Sequence, residues 1–404
     1  MIKNTHLLKQ SVLVVTISLA SGHAMAAGFQ INAQSATGIG RAFAGDAVIA
    51  DNASVVARNS AAMALFDETS MSLGFETITS LIEVKDASYN GGAIGTVDDV
   101  GGTSIAPNFH LIVPIDDKFA VGVTAYSNFG TKTEFPDSYE ATEFGGLTDV
   151  KSYNLGVAGS YRINEQLSVG AGLDLIYGQG SMKRIFSGDT PFPGQTILDV
   201  DKADGWGVGF NLGTTYELNE NNRFGLSYRY SPTMDTEDDK GQKISLPLPD
   251  IAEFSGYHRI EDTKFAVHYS IQWIGWSAFD KITFNDLEGP FAPAEKDYAW
   301  QDGWHFALGG TYYLNDTWTL RAGYMYDTAA QDEVTSISVP DSDRQWFSAG
   351  FTYALNEKSD IDFGFTYLLG KDVAVTETTE LGTSVSATTH ADAILMGLQY
   401  NRSF

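Results

Sequence analysis

Ile394-Leu395-Met396-Gly397-Leu398-Gln399-Tyr400-Asn401-Arg402-Ser403-Phe404 closes the chain, and its reading decides the fold. Taken in steps of two, one face is Ile394, Met396, Leu398, Tyr400, Arg402 and Phe404, apolar with aromatics near its end. The other is Leu395, Gly397, Gln399, Asn401 and Ser403, mostly small or polar. A period-two strand that stops on a C-terminal Phe is the pattern of the closing strand of an outer-membrane β-barrel. If the apolar face looks at lipid, every other strand must be read with its apolar side outward.

The bulk numbers agree with such a barrel. The chain has 404 residues and 43% hydrophobic composition, and mean hydropathy is -0.13. It holds no run of about 18 apolar residues, which excludes a transmembrane helix; a barrel escapes that test because only alternate residues meet lipid. Lys3 and Lys9, the apolar core Val12 to Ala20 and Ala24-Met25-Ala26 form an export signal over residues 1–26, with the mature chain starting at Ala27. Losing Lys3 and Lys9 takes the net charge from -26 to -28. That charge argues against nucleic acid as a partner, since such binding rests on neutralising phosphates. With no cysteine there is no disulfide framework, and a closed hydrogen-bond ladder needs none.

Six short polar turns punctuate the chain, around Asp116-Asp117, Asn164-Glu165, Asn219-Glu220, Glu261-Asp262, Asn315-Asp316 and Asn356-Glu357. Asn and Asp suit these places because they tolerate turn dihedrals and bond their own backbone. The flanking runs alternate, as in Leu167, Val169, Ala171, Leu173 and Leu175, or Phe119, Val121, Val123 and Ala125. Nine to eleven residues per run is the length of a tilted strand across a bilayer. Five intervals between turns give ten strands, the segment Thr69 to Val113 adds two and Ile361 to Phe404 two more. The expectation is an all-β, fourteen-stranded antiparallel transmembrane barrel over residues 69–404, an even count with both ends on the short-turn side. Seven longer, often acidic connections lie on the other side; Asp235-Thr236-Glu237-Asp238-Asp239 is a stretch that could meet lipopolysaccharide through divalent cations. Residues 27–68 do not alternate, are broken by Gly28, Gly38, Gly40 and Gly45, and are apolar over Ala42 to Ala50. Such a segment belongs inside the lumen as a hatch, or plug.

Chemistry is absent where an enzyme would carry it. There is no G-x-S-x-G elbow and no H-E-x-x-H motif. His110, His258, His268 and His305 stand singly on strands, and Gly205-Trp206-Gly207-Val208-Gly209 has no helix behind it. No metal or cofactor is expected.

With those residues in view, the chain resembles the FadL-type outer-membrane transporters of long-chain fatty acids. The resemblance rests on Ala27-Gly28-Phe29-Gln30, Gly38-Ile39-Gly40-Arg41-Ala42-Phe43, Ala57-Arg58-Asn59, Asn221-Asn222-Arg223-Phe224 and Ser336-Ile337-Ser338-Val339-Pro340-Asp341. It covers nearly all of the mature chain in order. It implies a fourteen-stranded barrel with an N-terminal hatch in which Phe29, Asn59, Ser60 and Ala61 take part. The family's Asn-Pro-Ala is here Asn59-Ser60-Ala61, which loses the fixed φ of proline. Ligand would land among loop residues Phe129, Phe135, Phe144, Met182, Ile185 and Phe186. The resemblance places Arg184 as the carboxylate anchor, a role its bidentate fork suits. A second basic residue falls on Thr283, with Lys281 two positions earlier on the same strand face. A kink in the third strand, at Ser127-Asn128-Phe129-Gly130, would open the wall sideways, with Asn128 and Gly130 interrupting the ladder. The implied function is ligand-gated passive uptake of long-chain fatty acids by a monomer in contact with outer-membrane lipid. The same route could carry neutral aromatic or aliphatic hydrocarbons. A general porin or structural barrel is the alternative from another class.

Overall fold

A computed structural model describes residues 28–188 and 190–404. The export signal and Ala27 lie outside the described residues. Fourteen strands form the wall: β1 (Ser70–Tyr89), β2 (Gly102–Pro114), β3 (Phe119–Tyr126), β4 (Leu147–Arg162), β5 (Leu167–Ile185), β6 (Thr196–Asn219) and β7 (Asn222–Tyr230). They continue with β8 (Ile251–Arg259), β9 (Phe265–Ile274), β10 (Gly303–Tyr313), β11 (Trp318–Asp327), β12 (Arg344–Asn356), β13 (Ser359–Gly370) and β14 (Ser384–Ser403). Each pairs antiparallel with its neighbours in sequence. The barrel closes where β1 meets β14, from Ser70↔Ser403 upward. The amide of Phe404 donates to the carbonyl of Thr69 at 3.0 Å, so the C-terminal residue sits on the seam.

The closing strand orients as its pattern demands. Met396 and Leu398 are 44% and 45% exposed on the outer face, whereas Leu395 and Gln399 are buried. The same alternation puts Leu155, Val157, Leu173, Leu212, Leu226 and Leu308 outside, the band a bilayer would cover. Aromatic pairs stand beside the short turns: Phe119 with Tyr161, Phe265 with Tyr312, and Trp318 with Tyr353, all with ring centroids under 5 Å apart. The turns themselves are closed by the side chains the sequence supplies. Asp116, Asn164 and Asn315 each accept two backbone N–H bonds from residues just after them.

One expectation needs correction. Strands of nine to eleven residues hold for β7 to β11, but β1 and β14 each run 20 residues and β6 runs 24. They rise beyond the bilayer, where Gly92–Val97, Lys243–Pro247 and Val373–Thr378 add further strands. Much of what the sequence assigns to loops is therefore ladder. Above the lipid neither face is uniformly apolar, so the period-two hydrophobic signal fades although the pairing continues.

The segment from Gly28 to Asp67 forms no wall strand. It holds helix α1 (Ala36–Gly40) and two 3₁₀ turns, Ala53–Ala57 and Ser60–Leu65. Ser35, Asn52 and Asn59 cap the three through side-chain oxygens that accept a backbone N–H. Most of the segment is fully buried against inward faces of the wall. Inward glycines make that approach possible. A Cβ on Gly323 would collide with the Arg41 carbonyl, on Gly364 with that of Ala36, on Gly225 with that of Ala47, and on Gly170 with the amide of Ala61. Buried ion pairs fasten the same contacts. Arg41 bridges Asp46 and Asp51, each at 2.9 Å. Asp51 reaches Arg321 of β11 at 3.0 Å, and Arg58 reaches Glu253 of β8 at 2.6 Å.

Candidate ligand pocket and wall break

The pocket starts where β9 ends. After Ile274 the chain enters a 3₁₀ turn, Trp276–Ala278. Asp302 clamps that turn by accepting from the Trp273 indole at 2.8 Å and the Ser277 amide at 3.0 Å. Partial burial works against the Asp302 charge, but these donors prevail and hold its pKa below the usual carboxylate range. The turn throws Trp276 and Phe279 inward to meet Tyr298 and Trp300 from the far end of the same β9–β10 connection. Phe29, near the start of the N-terminal segment, fills the middle of this cage. Its ring centroid lies 4.6 Å from Trp276, 5.3 Å from Phe279, 5.7 Å from Trp300 and 6.2 Å from Phe129. Met182, Met234, Ile244, Leu246 and Leu248 extend the same apolar cluster. The cleft among them encloses about 30 Å³, space for one water and far too little for a lipid chain. Beside this cleft, the middle of the aromatic cage is occupied by the protein's own Phe29.

The third strand breaks beside this cage. β3 stops at Tyr126 and strand pairing resumes only over Gly130–Glu134, which pairs with β4. The last rung between β2 and β3 is Phe109↔Ala125. Above it, β2 keeps β1 on one side up to Gly102↔Ser80 and has no strand on the other among the described residues. Pro107 lies on this free edge, where a missing N–H costs nothing. The N-terminal segment bonds to the break itself. The amide of Ile31 donates to the Asn128 carbonyl at 2.7 Å, and that of Gly130 donates to the Phe29 carbonyl at 2.8 Å. Asn128 and Gly130 are thus brought into direct contact with the stretch that plugs the cage.

Arg184 is buried, near the loop-side end of β5. It donates to the carbonyls of Leu147 and Lys183 and to Thr148 Oγ1, at 2.6, 2.7 and 2.7 Å. No carboxylate pairs with it among the described residues; its electrostatic neighbours are Tyr298 and Glu377. Lys281 stands elsewhere: it is half-exposed and bound to Glu295 at 2.7 Å, and it does not join Arg184. The cation that shares Tyr298 and Glu377 as neighbours with Arg184 is Lys296, opposite Ile282 in the register. Its Nζ lies 5.4 Å from the Tyr298 ring and 3.5 Å from Glu377. The sequence missed it because Lys296 sits in a loop without periodicity.

The remaining candidates divide. Phe129 and Met182 line the cage. Phe135 and Phe144 belong to a second cluster with Tyr89, Tyr139, Ile337 and Val375. Phe186 packs on Phe192 and Phe291, with centroids at 5.8 and 5.0 Å, while Ile185 is half-buried. Asn59 caps its turn and also donates to the carbonyls of Ala47 and Thr214. Ser60 and Ala61 are buried in that turn. Trp276, Phe279, Tyr298 and Trp300 went unassigned in the sequence, since nothing in one dimension says that two turns twenty residues apart face the same ring.

Comparison with known proteins now adds to this geometry. A family described as "Outer membrane protein transport protein (OMPP1/FadL/TodX)" matches residues 17–404. The chain belongs to that family. It is an outer-membrane protein of the Gram-negative envelope, and its family is one of transport proteins. The long-chain fatty acid transport protein of Escherichia coli O6:H1 is 34% identical over 444 aligned positions, covering 98% of this chain and 99% of that one. Outer membrane protein P1 of Haemophilus influenzae is also 34% identical, with 98% and 99% covered. Among solved structures, a Pseudomonas aeruginosa FadL homologue superposes with a TM-score of 0.83 at 22% identity, over 94% of this chain and 100% of that one. The Pseudomonas putida toluene transporter TodX superposes with a TM-score of 0.68 at 16% identity, over 96% and 100%. At such identities these two likenesses concern the fold.

Proposed function

We propose that the protein admits long-chain fatty acids by ligand-gated passive diffusion, with Phe29 as the gate, Arg184 as the carboxylate anchor and the break at Ser127 to Gly130 as the sideways exit. The observation that carries this reading is the occupation of an aromatic cage by Phe29, whose own backbone bonds to the wall break. Whatever displaces the ring also strains the backbone bonds to Asn128 and Gly130, so filling the pocket and loosening the break are one event. The N-terminal segment then serves as the hatch. A tail of about fifteen methylenes gains on the order of 12 kcal/mol on leaving water, at roughly 0.8 kcal/mol each and before association costs. That is ample to eject one Phe, whose burial is worth about 1.5–3 kcal/mol.

The relatives named for long-chain fatty acid transport favour an acid cargo, and so does a buried guanidinium that makes no ion pair among the described residues. A second reading, uptake of neutral aromatic hydrocarbons, draws on the rings around Phe29, which would suit a monoaromatic ligand. Cells lacking their own transporter of this family, supplied with this chain, separate the two. Labelled oleate should enter and toluene should compete poorly; saturable toluene entry unaffected by oleate would favour the second reading.

A further inference from the structure

Release through the break takes the cargo past polar groups that the pocket does not use, and any role for those groups rests on that release. Asn108 of β2 and Tyr126 of β3 are the first inward side chains beyond the last rung, Phe109↔Ala125. Across β4, Tyr126 is paired with Asn154. Asn108 donates to Glu76 of β1 at 2.6 Å, and Asn128 stands in the break itself. All five side chains are at most 3% exposed. Glu76 Oε2, Asn108 Oδ1 and Asn128 Nδ2 have no hydrogen-bond partner among the described residues, and the Tyr126 hydroxyl and the Asn154 amide have at most each other. By contrast, the inward groups of β8 and β9, Glu253, Ser255, Ser270 and Gln272, bond one another. A buried group left unmade costs about 1–3 kcal/mol. Unmade groups occur elsewhere along the lumen, as at Ser160, Ser168 and Thr215, but here three side chains and the Tyr126–Asn154 pair gather where the wall parts, a place that partners from outside the protein can reach.

We propose that these groups form a head-group station at the break, a hydrogen-bonding site for the uncharged polar head of a single-chain lipid, a protonated carboxylic acid or a primary alcohol. The surroundings set the charge of the head. Two cations act on Tyr126: Arg229, 5.6 Å from its ring centroid, and Arg58, and they are already bound to Asp174 and Glu253. Glu76 has no cationic partner among the described residues. An ionised head would therefore be buried unpaired, which is far more costly than burying a neutral one. A carboxylic acid or alcohol, by contrast, brings both a donor and acceptors, as do the groups left open. The acid takes its proton from solvent on leaving Arg184. The station holds the head while the tail passes between Asn108 and Tyr126 into the bilayer.

Uptake of oleic acid, oleyl alcohol and toluene is measured in cells lacking their own transporter of this family and expressing Asn108→Leu or Asn154→Leu. The two cargoes with a polar head should enter about tenfold more slowly, the effect of roughly 1.4 kcal/mol, and toluene should stay within about twofold of the unaltered chain. If Asn108→Leu fails to fold through exposing Glu76, Asn154→Leu carries the test, since its amide faces the Tyr126 hydroxyl and bonds to no buried charge among the described residues. Unchanged entry of acid and alcohol, or an equal fall for toluene, overturns the station. A second arm joins Asn108→Cys to Tyr126→Cys by a disulfide or a short bis-maleimide. Entry of all cargoes through the bridged chain overturns the sideways route and the station with it. Loss of all entry on bridging, with no selectivity in the leucine variants, overturns the station alone.

Discussion

Arg184 and Ser60 show what single residues settle. Arg184 spends its donors on two carbonyls and one hydroxyl, so it is held in place without being neutralised. A carboxylate bound there would gain charge-assisted bonds worth about 1.5–3 kcal/mol. Arg184→Ala should therefore weaken oleate binding, read by displacement of a fluorescent fatty acid, by roughly ten- to a hundredfold. Binding of the alcohol with the same tail should change little; equal losses for acid and alcohol would remove the anchor role. Ser60 is the first residue of its 3₁₀ turn, a position where the N–H has no helical partner and proline is pre-organised. Its hydroxyl bonds to nothing among the described residues. Ser60→Pro should stabilise the turn by about 0.4–1 kcal/mol, read as a higher temperature for the gel-shift transition from folded to unfolded barrel. A fall in that temperature would show that the backbone there does not suit proline. Arg184 came to notice through the resemblance to the family, and the structure adds that it is buried. Lys296 did not, because its approach to Tyr298 and Glu377, the neighbours of Arg184, depends on a loop strand crossing back.

At the scale of elements, the strands announced themselves wherever one face meets lipid and fell silent above it. The wall count therefore came out of six Asn/Asp turns and alternate aliphatics, while the projecting ladders and the aromatic cage did not. The N-terminal segment was legible only by exclusion, as a stretch too apolar for a tail and too irregular for a strand. Its fit to the wall rests on glycines whose spacing carries meaning only once the segment lies against them. Gly323 touches the Arg41 carbonyl, beside the Arg41–Asp51–Arg321 pairs. Gly323→Val would force segment and wall apart at a cost of about 1–3 kcal/mol. The barrel ladder would remain, so the expected result is a folded protein whose segment residues become open to protease. Unchanged protection would mean that the segment is not clasped there.

The whole molecule combines a wall that cannot open by fraying, because it has no edge except at the break, with a filling held by buried charges. Those charges explain how one end of the filling could move while the rest stays. The stretch around Phe29 is held by ring contacts, a few backbone bonds and uncharged side-chain bonds to the wall such as Asn32–His305 and Gln34–Asn128. Further along, Arg58 binds Glu253 of β8 and also donates to Asn32 and Gln34, tying the Phe29 stretch to the fixed remainder. Breaking a buried pair by removing one partner costs about 3–5 kcal/mol, because the other charge is left uncompensated. Arg58→Ala should therefore loosen the filling while lipid and ladder preserve the wall. In planar bilayers the unaltered chain should show no steady conductance, as expected of a barrel filled across its section. Arg58→Ala should flicker into openings, and adding Glu253→Gln should quiet them by removing the stranded charge. A large, constant conductance from the unaltered chain would mean an open pore, and with it the porin reading in place of a gated one.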